Sequence, residues 1–270
     1  MRIAAVQMNS KDNKEKNLLT ALQLVDKAAN NGADLIVLPE YVDFIGSNVD
    51  KYSLAESIPG PTSMRMAEKA KERAIYLHGG SILEKAGNGR VFNTSVFINP
   101  DGEIIAKYRK IHLYDATFKE RYEVTESDIT IPGDEIETAN TIFGKIGLTI
   151  CYDLRFPELF RLLALRGCKV IVVPAAFPLY TGAHHWEILL RARAIENQCY
   201  IVAAAQHGNT PIDIVQYGKS MIIDPWGTVI ASSQEKVGFI IQDVDFDYLE
   251  NIRRSLPSLE HRRPDVYTFS

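Results

Sequence analysis

The chain has 270 residues, of which 46% are apolar and 24% are charged, and its 30 basic and 34 acidic side chains give a net charge of −4. This length favours one large domain, which we expect to span residues 1–270 because no linker-like composition divides the chain. Both signs of charge are mixed along the chain, which argues against a nucleic-acid surface or a membrane-binding basic patch. Apolar runs are shorter than the ~20 residues of a membrane helix, and we expect no secretory signal.

The cysteine content indicates the redox environment. Cys151, Cys168 and Cys199 form an odd, sparse set without the CxxC spacing of metal sites. Such a set is typical of free thiols in a reducing compartment. We therefore expect a cytoplasmic protein whose cysteines hold no metal.

A strand–helix–strand unit opens the chain. RIAAVQM (Arg2 to Met8) has the pattern of a buried strand, and apolar residues then recur at helical spacing as far as the helix stop Asn31-Gly32. DLIVLP follows as a short apolar run, typical of a strand covered on both faces. A helix over about 64–73 comes next, followed by strands in IYLHGGS, VFNTSVFIN and EIIAKYR, the last two joined by the turn NPDG.

The second half of the chain repeats this order. After HLYDATFKERYEVTESDITIPGDE, whose length and polarity predict an irregular functional loop, KIGLTI, FPELFRLLALRGC and KVIVVP again predict strand, helix and strand. GADLIVLP and GCKVIVVP share several residues, which indicates either a weak internal repeat or the chance likeness of two buried strands. YGKSMIID, GTVIASS and VGFIIQDVD add strands. We interpret residues from about 251 to 270 as an extension that reaches a partner.

These elements predict an α/β fold. Strands that alternate with helices favour α/β architecture, and the hairpins favour mixed sheets. Two such sheets packed face to face, with helices outside, would accommodate the many apolar strands.

Three polar residues stand where predicted strands end. Glu40 follows DLIVL by two residues, Cys151 directly follows KIGLTI, and Lys110 follows EIIAKYR. Ligands of α/β proteins bind at the carboxyl ends of strands, so side chains from adjoining parts of the sheet layer can share a pocket. A thiol becomes a nucleophile when a base such as Glu40 deprotonates it. Lys110 and the backbone N–H groups near Tyr152 are candidate stabilisers of an oxyanion.

Structural interpretations stay open for each residue. A cysteine at a strand end is often a small buried hydrophobe, and a lone Glu or Lys is often a solvated surface charge. Histidines such as His112 and His185 leave a Cys–His hydrolase as an alternative. The HGGS segment (His78 to Ser81) lacks the strand–GxGxxG–helix context of a dinucleotide site, so we expect it to pack backbone near the pocket.

The same segments carry a resemblance to a known family. LPEY with Glu40, YRKIHLYD with Lys110 and CYDLRFPE with Cys151 resemble the three signature segments of the nitrilase (carbon–nitrogen hydrolase) superfamily. The likeness extends from AAVQM to HRRPDVY, essentially the whole chain. TGAHHWEILLRARAIENQCYIVAAAQ and YGKSMIIDPWG are most similar to the Nit-type amidases, in particular to deaminated-glutathione amidases and omega-amidases.

The resemblance implies a fold and a set of site residues. The fold is a four-layer α-β-β-α sandwich of two mixed sheets, often in a homodimer. The implied roles are general base for Glu40, electrostatic stabiliser for Lys110 and nucleophile for Cys151. A second glutamate is best matched by Glu126, with Glu123 as the nearby competitor. No metal or organic cofactor is implied.

The implied reaction is hydrolysis of a small linear amide. The amide carries a carboxylate, as in deaminated glutathione or the omega-amide of a 2-oxo acid, and a Cys151 thioester forms with release of ammonia. Hydrolysis of N-carbamoyl compounds or nitriles would use the same residues. An inactive, dimeric binding or scaffold protein is an alternative of another class.

Arg155 is the predicted anchor for the substrate carboxylate. It lies four residues after Cys151, where its guanidinium can bind a carboxylate through two hydrogen bonds. Phe177 and Thr181 in AAFPLYTGAHHW are expected to complete the pocket with Tyr152. Alternatively, Arg155 pairs inside the fold with Asp153 or Glu158. We expect Asp153 to orient the loop rather than to react.

Overall fold

The computed structural model describes residues 1–267 of the chain. Its first half contains β1 (Arg2–Gln7), α1 (Lys14–Asn30), β2 (Leu35–Val37), α2 (Asn48–Leu54), α3 (Pro61–Arg73), β3 (Tyr76–His78), β4 (Ile82–Gly87), β5 (Arg90–Ile98), β6 (Ile104–Arg109), β7 (Asp115–Phe118) and β8 (Tyr122–Thr125). Its second half contains β9 (Thr138–Thr141), β10 (Gly144–Leu148), α4 (Pro157–Leu165), β11 (Cys168–Ala175), α5 (Leu179–Asn197), β12 (Tyr200–Ala205), β13 (His207–Gly208), β14 (Gln216–Tyr217), β15 (Met221–Ile223), β16 (Val229–Ser232), β17 (Gly238–Asp243) and α6 (Phe246–Ser255). Short 3-10 helices cover Glu126–Asp128 and Cys151–Arg155.

The strands form two large mixed sheets. The first sheet has the order β17-β1-β2-β3-β5-β4, and β6 pairs with β5. The second has the order β16-β15-β12-β11-β10-β9. In the first sheet β1, β2 and β3 are parallel, and in the second β10, β11 and β12 are parallel. Antiparallel strands flank each parallel centre, so the prediction of mixed sheets is confirmed.

The sheets pack face to face between layers of helices. Successive side chains of a strand point to opposite faces. Ile3 and Ala5 of β1 accordingly join the core between the sheets, whereas Ala4 and Val6 belong to the core that includes residues of α1 and α3. Helices α4 and α5 pack against β11 and β12 of the second sheet. The order of layers is α-β-β-α, as the resemblance implied.

Helix ends follow the local sequence. The side chain of Asn13 caps α1 by accepting a hydrogen bond from the backbone N–H of Lys16. Pro157 occupies the first turn of α4, where a missing N–H costs nothing. Gly167 follows that helix with φ +90°, a left-handed conformation that glycine adopts readily.

Two expectations need correction. The two strand–helix–strand units, β1-α1-β2 and β10-α4-β11, lie in opposite sheets, so Glu40 and Cys151 approach each other from facing sheets rather than along one sheet. The polar segment expected to be irregular contains the hairpin β7–β8, because its residues pair as a short antiparallel ladder. The first residues of the predicted C-terminal extension belong to α6, whose Leu249 and Ile252 are buried, and its contact with a partner stays a prediction.

The remainder of that extension follows α6 through turns as far as residue 267, and residues 268–270 lie outside the described part of the chain. Among residues 1–267, no helix combines the length and the apolar character needed to cross a membrane.

Candidate active site

Glu40 lies in the loop that follows β2, where several contacts fix the backbone. A Cβ at Gly80, which has φ +66°, would lie 2.1 Å from the Pro39 carbonyl oxygen, so glycine is required for the two segments to approach. The HGGS segment therefore packs backbone beside the site, as expected. Gln206 at the end of β12 donates through Nε2 to the Glu40 carbonyl oxygen at 2.9 Å. These contacts leave the Glu40 carboxylate, 1% exposed, pointing inward.

Lys110 joins two carboxylates. It follows β6, and its backbone N–H donates to the Asn93 carbonyl oxygen at 2.9 Å. Its Nζ donates to Glu40 Oε1 at 3.0 Å and to Glu126 Oε2 at 2.7 Å. All three side chains are buried. The arrangement is a buried ammonium group between two carboxylates.

Glu126, rather than Glu123, is the glutamate placed against Lys110. Its Oε1 accepts from Tyr41 Oη at 2.9 Å, and its Oε2 accepts from the Tyr114 backbone N–H at 2.8 Å. Glu123 is exposed on the hairpin and accepts from Thr117 Oγ1. The irregular segment thus carries an acid into the site from a short 3-10 helix.

Cys151 begins the 3-10 helix that follows β10. Its φ of +48° lies in the left-handed region, which is costly for a residue with a side chain and is maintained only when the surroundings enforce it. Asp153 supplies part of that enforcement, because its carboxylate accepts from the Ile150 N–H at 2.8 Å and from Tyr108 Oη at 2.6 Å. Asp153 therefore orients the loop.

Burial and charge set the protonation states. Burial, followed by the nearby Glu40 carboxylate, raises the pKa of the Cys151 thiol well above its usual value, although Lys110 opposes this shift. Burial disfavours the Lys110 cation, yet Glu126 and Glu40 together raise the pKa of Lys110 well above its ordinary value. Burial would raise the pKa of Glu126, but Lys110 holds it below its usual range. The resting site therefore holds a neutral thiol beside a charged lysine.

A cavity of about 420 Å³ opens beside Cys151. Its walls come from the Glu40 loop, α2, hairpin β7–β8 and the loop before β14, and they include Glu40, Tyr41, Phe44, Ile45, Lys51, Lys110, Glu123, Glu126, Asp128, Cys151, Ile212, Ile214 and Gln216. The volume lies in the ~300–1,000 Å³ range of small-molecule sites. The cavity can hold a ligand against the cysteine.

The predicted substrate-binding residues lie on another side of Cys151. A narrow crevice of about 10 Å³ is lined by Tyr114, Cys151, Tyr152, Arg155, Phe177, Pro178 and Thr181. The Arg155 guanidinium lies 5.0 Å from the Phe177 ring centroid and donates to His185 Nδ1 at 3.2 Å. Within residues 1–267, Arg155 forms no ion pair with Asp153 or Glu158. The alternative in which Arg155 pairs with one of these acids inside the fold therefore finds no support in this part of the chain.

The histidine alternative finds no support in the geometry. In the described chain, no histidine is hydrogen-bonded to Cys151. His112 Nδ1 lies 2.7 Å from Asp153 Oδ1, and His185 is the partner of Arg155. The same residues contain no group of three or more His, Cys, Asp or Glu side chains placed to hold a metal ion.

Sequence reasoning missed the residues that hold the carboxylates in place. Asn93 Nδ2 donates to Glu40 Oε1 at 2.9 Å and to Glu126 Oε1 at 3.2 Å. Gln206 follows the apolar run YIVAAA, just as Glu40 follows DLIVLP. A polar residue at the end of an apolar run is a signal that could have identified Gln206. Asn93 lies inside β5 and carries no comparable signal.

Comparisons with known proteins agree with this geometry. The model of the carbon-nitrogen hydrolase family matches residues 2–254. The chain is 42% identical to the deaminated glutathione amidase of Mus musculus over 98% of this chain and 84% of that protein. It is 40% identical to omega-amidase NIT2 of the same organism, over 99% of this chain and 96% of that protein.

The chain belongs to the carbon–nitrogen hydrolase family. The crystal structure of Saccharomyces cerevisiae Nit3, a member of branch 10 of the nitrilase superfamily, superposes with a TM-score of 0.88 at 33% identity. The superposition covers 97% of this chain and 96% of Nit3. The predicted superfamily and layered fold are confirmed, and the relatives of this chain include amidases.

Replacing Glu40 by Gln is expected to lower the pKa of the Cys151 thiol. The carboxylate disfavours a nearby thiolate, so its removal leaves Lys110 as the dominant neighbouring charge. The pH dependence of Cys151 alkylation by iodoacetamide, followed by peptide mass spectrometry, should therefore show its inflection at lower pH. Glu68→Gln, on the exposed side of α3, is the control and should match the unmodified chain. An unshifted inflection in Glu40→Gln would contradict the electrostatic account.

Proposed function

We propose that the protein is an amidase that transfers the acyl group of a small, linear, carboxylate-bearing amide to Cys151 and then to water. The observation that carries this proposal is the position of Cys151 at a cavity that also receives Glu40 and the doubly paired Lys110. Family membership supports the same bond type, because carbon–nitrogen hydrolases cleave carbon–nitrogen bonds.

In the first step the thiol of Cys151 attacks the amide carbon. Because burial and Glu40 keep the thiol protonated, a base must take its proton as the sulfur–carbon bond forms. Glu40 is the base, held toward the site by the Ala176 N–H, which donates to Glu40 Oε2 at 2.7 Å. The proton then passes to the departing amine as the carbon–nitrogen bond breaks.

Lys110 stabilises the negative charge that develops on the carbonyl oxygen. Its raised pKa keeps it charged throughout, and the hydrogen bond to Glu126 helps to fix its position. Backbone N–H groups near Tyr152 complete the stabilisation of the oxyanion. Such donors act strongly in a site from which water is excluded.

Water completes the reaction. Glu40 takes a proton from a water molecule, the resulting hydroxide attacks the thioester carbonyl, and the carbon–sulfur bond breaks. The products are the carboxylic acid and the Cys151 thiol, whose sulfur takes back the proton that Glu40 removed from the water. Two acyl transfers replace one difficult direct attack by water.

Arg155 anchors a carboxylate on the acyl half of the substrate. Its guanidinium lies beside the crevice at Cys151 and has no carboxylate partner among the described residues. Phe177 and Thr181 form the wall of the same crevice. A 2-oxo acid with an omega-amide meets these requirements, with ammonia as its amine product. Deaminated glutathione has the same acyl group on a peptide amine.

A homodimer is part of the proposal. One face of α5 is buried through Trp186, Leu190 and Ala194, while Ile188 and Ile195 on its outer face are exposed. Trp226 is 59% exposed in the turn whose Gly227 carbonyl accepts from Arg191 of the same helix. Exposed apolar surface of this kind marks interaction sites. A second copy of the chain is the proposed occupant.

The catalytic assignment predicts a graded loss of activity. Cys151→Ala should abolish turnover, Glu40→Gln should lower kcat by about 10²–10⁴-fold, and Lys110→Met by about 10²–10³-fold. The substrates are deaminated glutathione, 2-oxoglutaramate, an aliphatic amide, a nitrile and an N-carbamoyl amino acid. Chromatographic measurement of the acid product detects hydrolysis whichever amine leaves.

Two results would contradict this assignment. Well-folded protein that is inactive on every compound would favour a binding or scaffold protein. A histidine variant as damaged as Cys151→Ala, together with an active Glu40→Gln, would favour Cys–His catalysis.

Arg155→Leu should raise KM for 2-oxoglutaramate roughly 10- to 100-fold, because a hydrogen bond to a charged group contributes about 1.5–3 kcal/mol. Steady-state kinetics with 2-oxoglutaramate and with an aliphatic amide measure the effect. Arg254→Leu, an exposed arginine on α6, is the matched control. Equal loss on an amide without a carboxylate would refute the anchoring role.

Ile188→Asp should convert the dimer to a monomer, since it places a charge in the apolar contact. Light scattering coupled to size-exclusion chromatography gives the mass directly. Ile142→Asp is the matched control, because Ile142 is 83% exposed in the turn between β9 and β10, outside α5. A monomeric unmodified chain, or a dimer that persists in Ile188→Asp, would overturn the proposed contact.

A further inference from the structure

Cys151 lines two spaces of very different size. One is the cavity of about 420 Å³, and the other is the crevice of about 10 Å³. A space of about 10–15 Å³ holds one water molecule, so an acyl chain bound to Cys151 must lie in the cavity. In the described chain, Arg155 is a wall residue of the crevice and not of the cavity. A carboxylate on the acyl chain therefore reaches Arg155 only where the wall between the two spaces opens.

That wall has one part that can move. Among residues 1–267, Tyr114, Cys151 and Pro178 line both spaces. Cys151 carries the reacting sulfur on a backbone that the surrounding contacts enforce, and the ring of Pro178 fixes its own φ at −60°. Tyr114 has a large side chain that rotates about two bonds. The Tyr114 side chain is therefore the movable part of the shared wall.

The backbone of Tyr114 is held independently of its ring. Its N–H donates to Glu126 Oε2 at 2.8 Å, and its carbonyl oxygen accepts from the Glu126 N–H at 3.2 Å. Its ring centroid lies 5.0 Å from that of Tyr152, and its hydroxyl lies 2.9 Å from Tyr122 Oη of β8. Rotation of the side chain would break the hydrogen bond with Tyr122 and leave both backbone contacts with Glu126 intact. The ring can thus move without disturbing the carboxylate that binds Lys110.

The charge of Arg155 acts on the Tyr114 hydroxyl. Burial, followed by the hydrogen bond with Tyr122, raises the pKa of this hydroxyl, and Arg155 opposes the shift. The Arg155 guanidinium lies 5.7 Å from the ring centroid of Tyr152, the residue whose ring also contacts Tyr114. A carboxylate admitted to the guanidinium would form charge-assisted hydrogen bonds, which are stronger than the neutral bond between the two tyrosines. Binding of a carboxylate can therefore compensate for displacement of the Tyr114 ring.

We propose that the Tyr114 side chain is a gate between the cavity and the crevice, that its hydrogen bond with Tyr122 holds the gate closed, and that an acyl chain with a carboxylate opens it to reach Arg155. The inference rests on the proposed amidase function and adds the residues that select the acyl half. A ligand shifts an equilibrium between two conformations only through its different affinities for them. A carboxylate at Arg155 binds the open conformation, whereas an amide without a carboxylate binds both.

Tyr122→Phe tests the gate because it removes one hydroxyl and keeps the ring. It should lower KM for 2-oxoglutaramate about two- to tenfold, the net effect of one hydrogen bond, and leave KM for an aliphatic amide unchanged. Tyr114→Phe removes the same interaction from its other end, so the double variant should match each single variant. Tyr248→Phe, at an exposed tyrosine of α6, is the control and should match the unmodified chain.

The effect should depend on Arg155. In an Arg155→Leu background the open conformation offers no cation to the substrate, so adding Tyr122→Phe should leave KM for 2-oxoglutaramate unchanged. A Tyr122→Phe effect of the same size in both backgrounds would overturn the inference.

A binding measurement tests the gate without turnover. Calorimetry gives Kd for the acid product 2-oxoglutarate with the Cys151→Ala variant, and adding Tyr122→Phe should lower this Kd by the same factor. A purely structural role of the two hydroxyls would instead raise KM for both amides and weaken binding. That result, unchanged values of KM and Kd, or failure of Cys151→Ala to bind 2-oxoglutarate would overturn the inference.

The two proposals fail in different ways. An unmodified chain that hydrolyses no amide would overturn the amidase proposal, while tighter binding of 2-oxoglutarate in Cys151→Ala/Tyr122→Phe would still support the gate. Hydrolysis of 2-oxoglutaramate with no gain from Tyr122→Phe would overturn the gate and leave the amidase proposal intact.

Discussion

One ammonium group buried between two carboxylates governs the construction of the site. Removing an ion from water costs several kcal/mol, and only close hydrogen bonds with good geometry compensate for this cost. Lys110 therefore binds both Glu40 and Glu126, and each carboxylate receives further donors, among them Asn93 and Tyr41. Removal of Lys110 would leave two buried carboxylates without their cation, whereas removal of either glutamate would leave Lys110 with one partner.

This requirement explains why so many elements end at one place. The first sheet contributes Glu40 and Lys110, and the second sheet contributes Cys151 and the Ala176 N–H that binds Glu40. Tyr41 and Cys151 both have left-handed backbone conformations beside the reacting groups. Such strain persists where surrounding contacts determine the backbone, as Gln206 and Asp153 do here.

Local sequence patterns were sufficient to predict most strands and the three polar strand ends. They succeeded because burial on both faces gives short apolar runs, and because polar residues that interrupt such runs stand out. The placement of the two strand–helix–strand units in opposite sheets was not predictable from these patterns, since pairing between distant strands leaves no local signal. Asn93 was missed for the same reason: its importance lies in the two carboxylates that it contacts across the fold. Hairpin β7–β8 was missed because its strands are only four residues long and lie within a segment rich in polar residues.

The division of the site between two sheets has a mechanical consequence. Near the site, backbone hydrogen bonds join the two sheets directly. The Met8 N–H donates to the Ala205 carbonyl oxygen at 3.3 Å, and the His207 N–H donates to the Met8 carbonyl oxygen at 2.8 Å. Slight sliding of one sheet over the other would separate sulfur from carboxylate and leave every ladder within each sheet unbroken. Catalytic activity therefore depends on how the two sheets pack against each other. A molecule in which this packing is loosened would lose activity before it lost its strands.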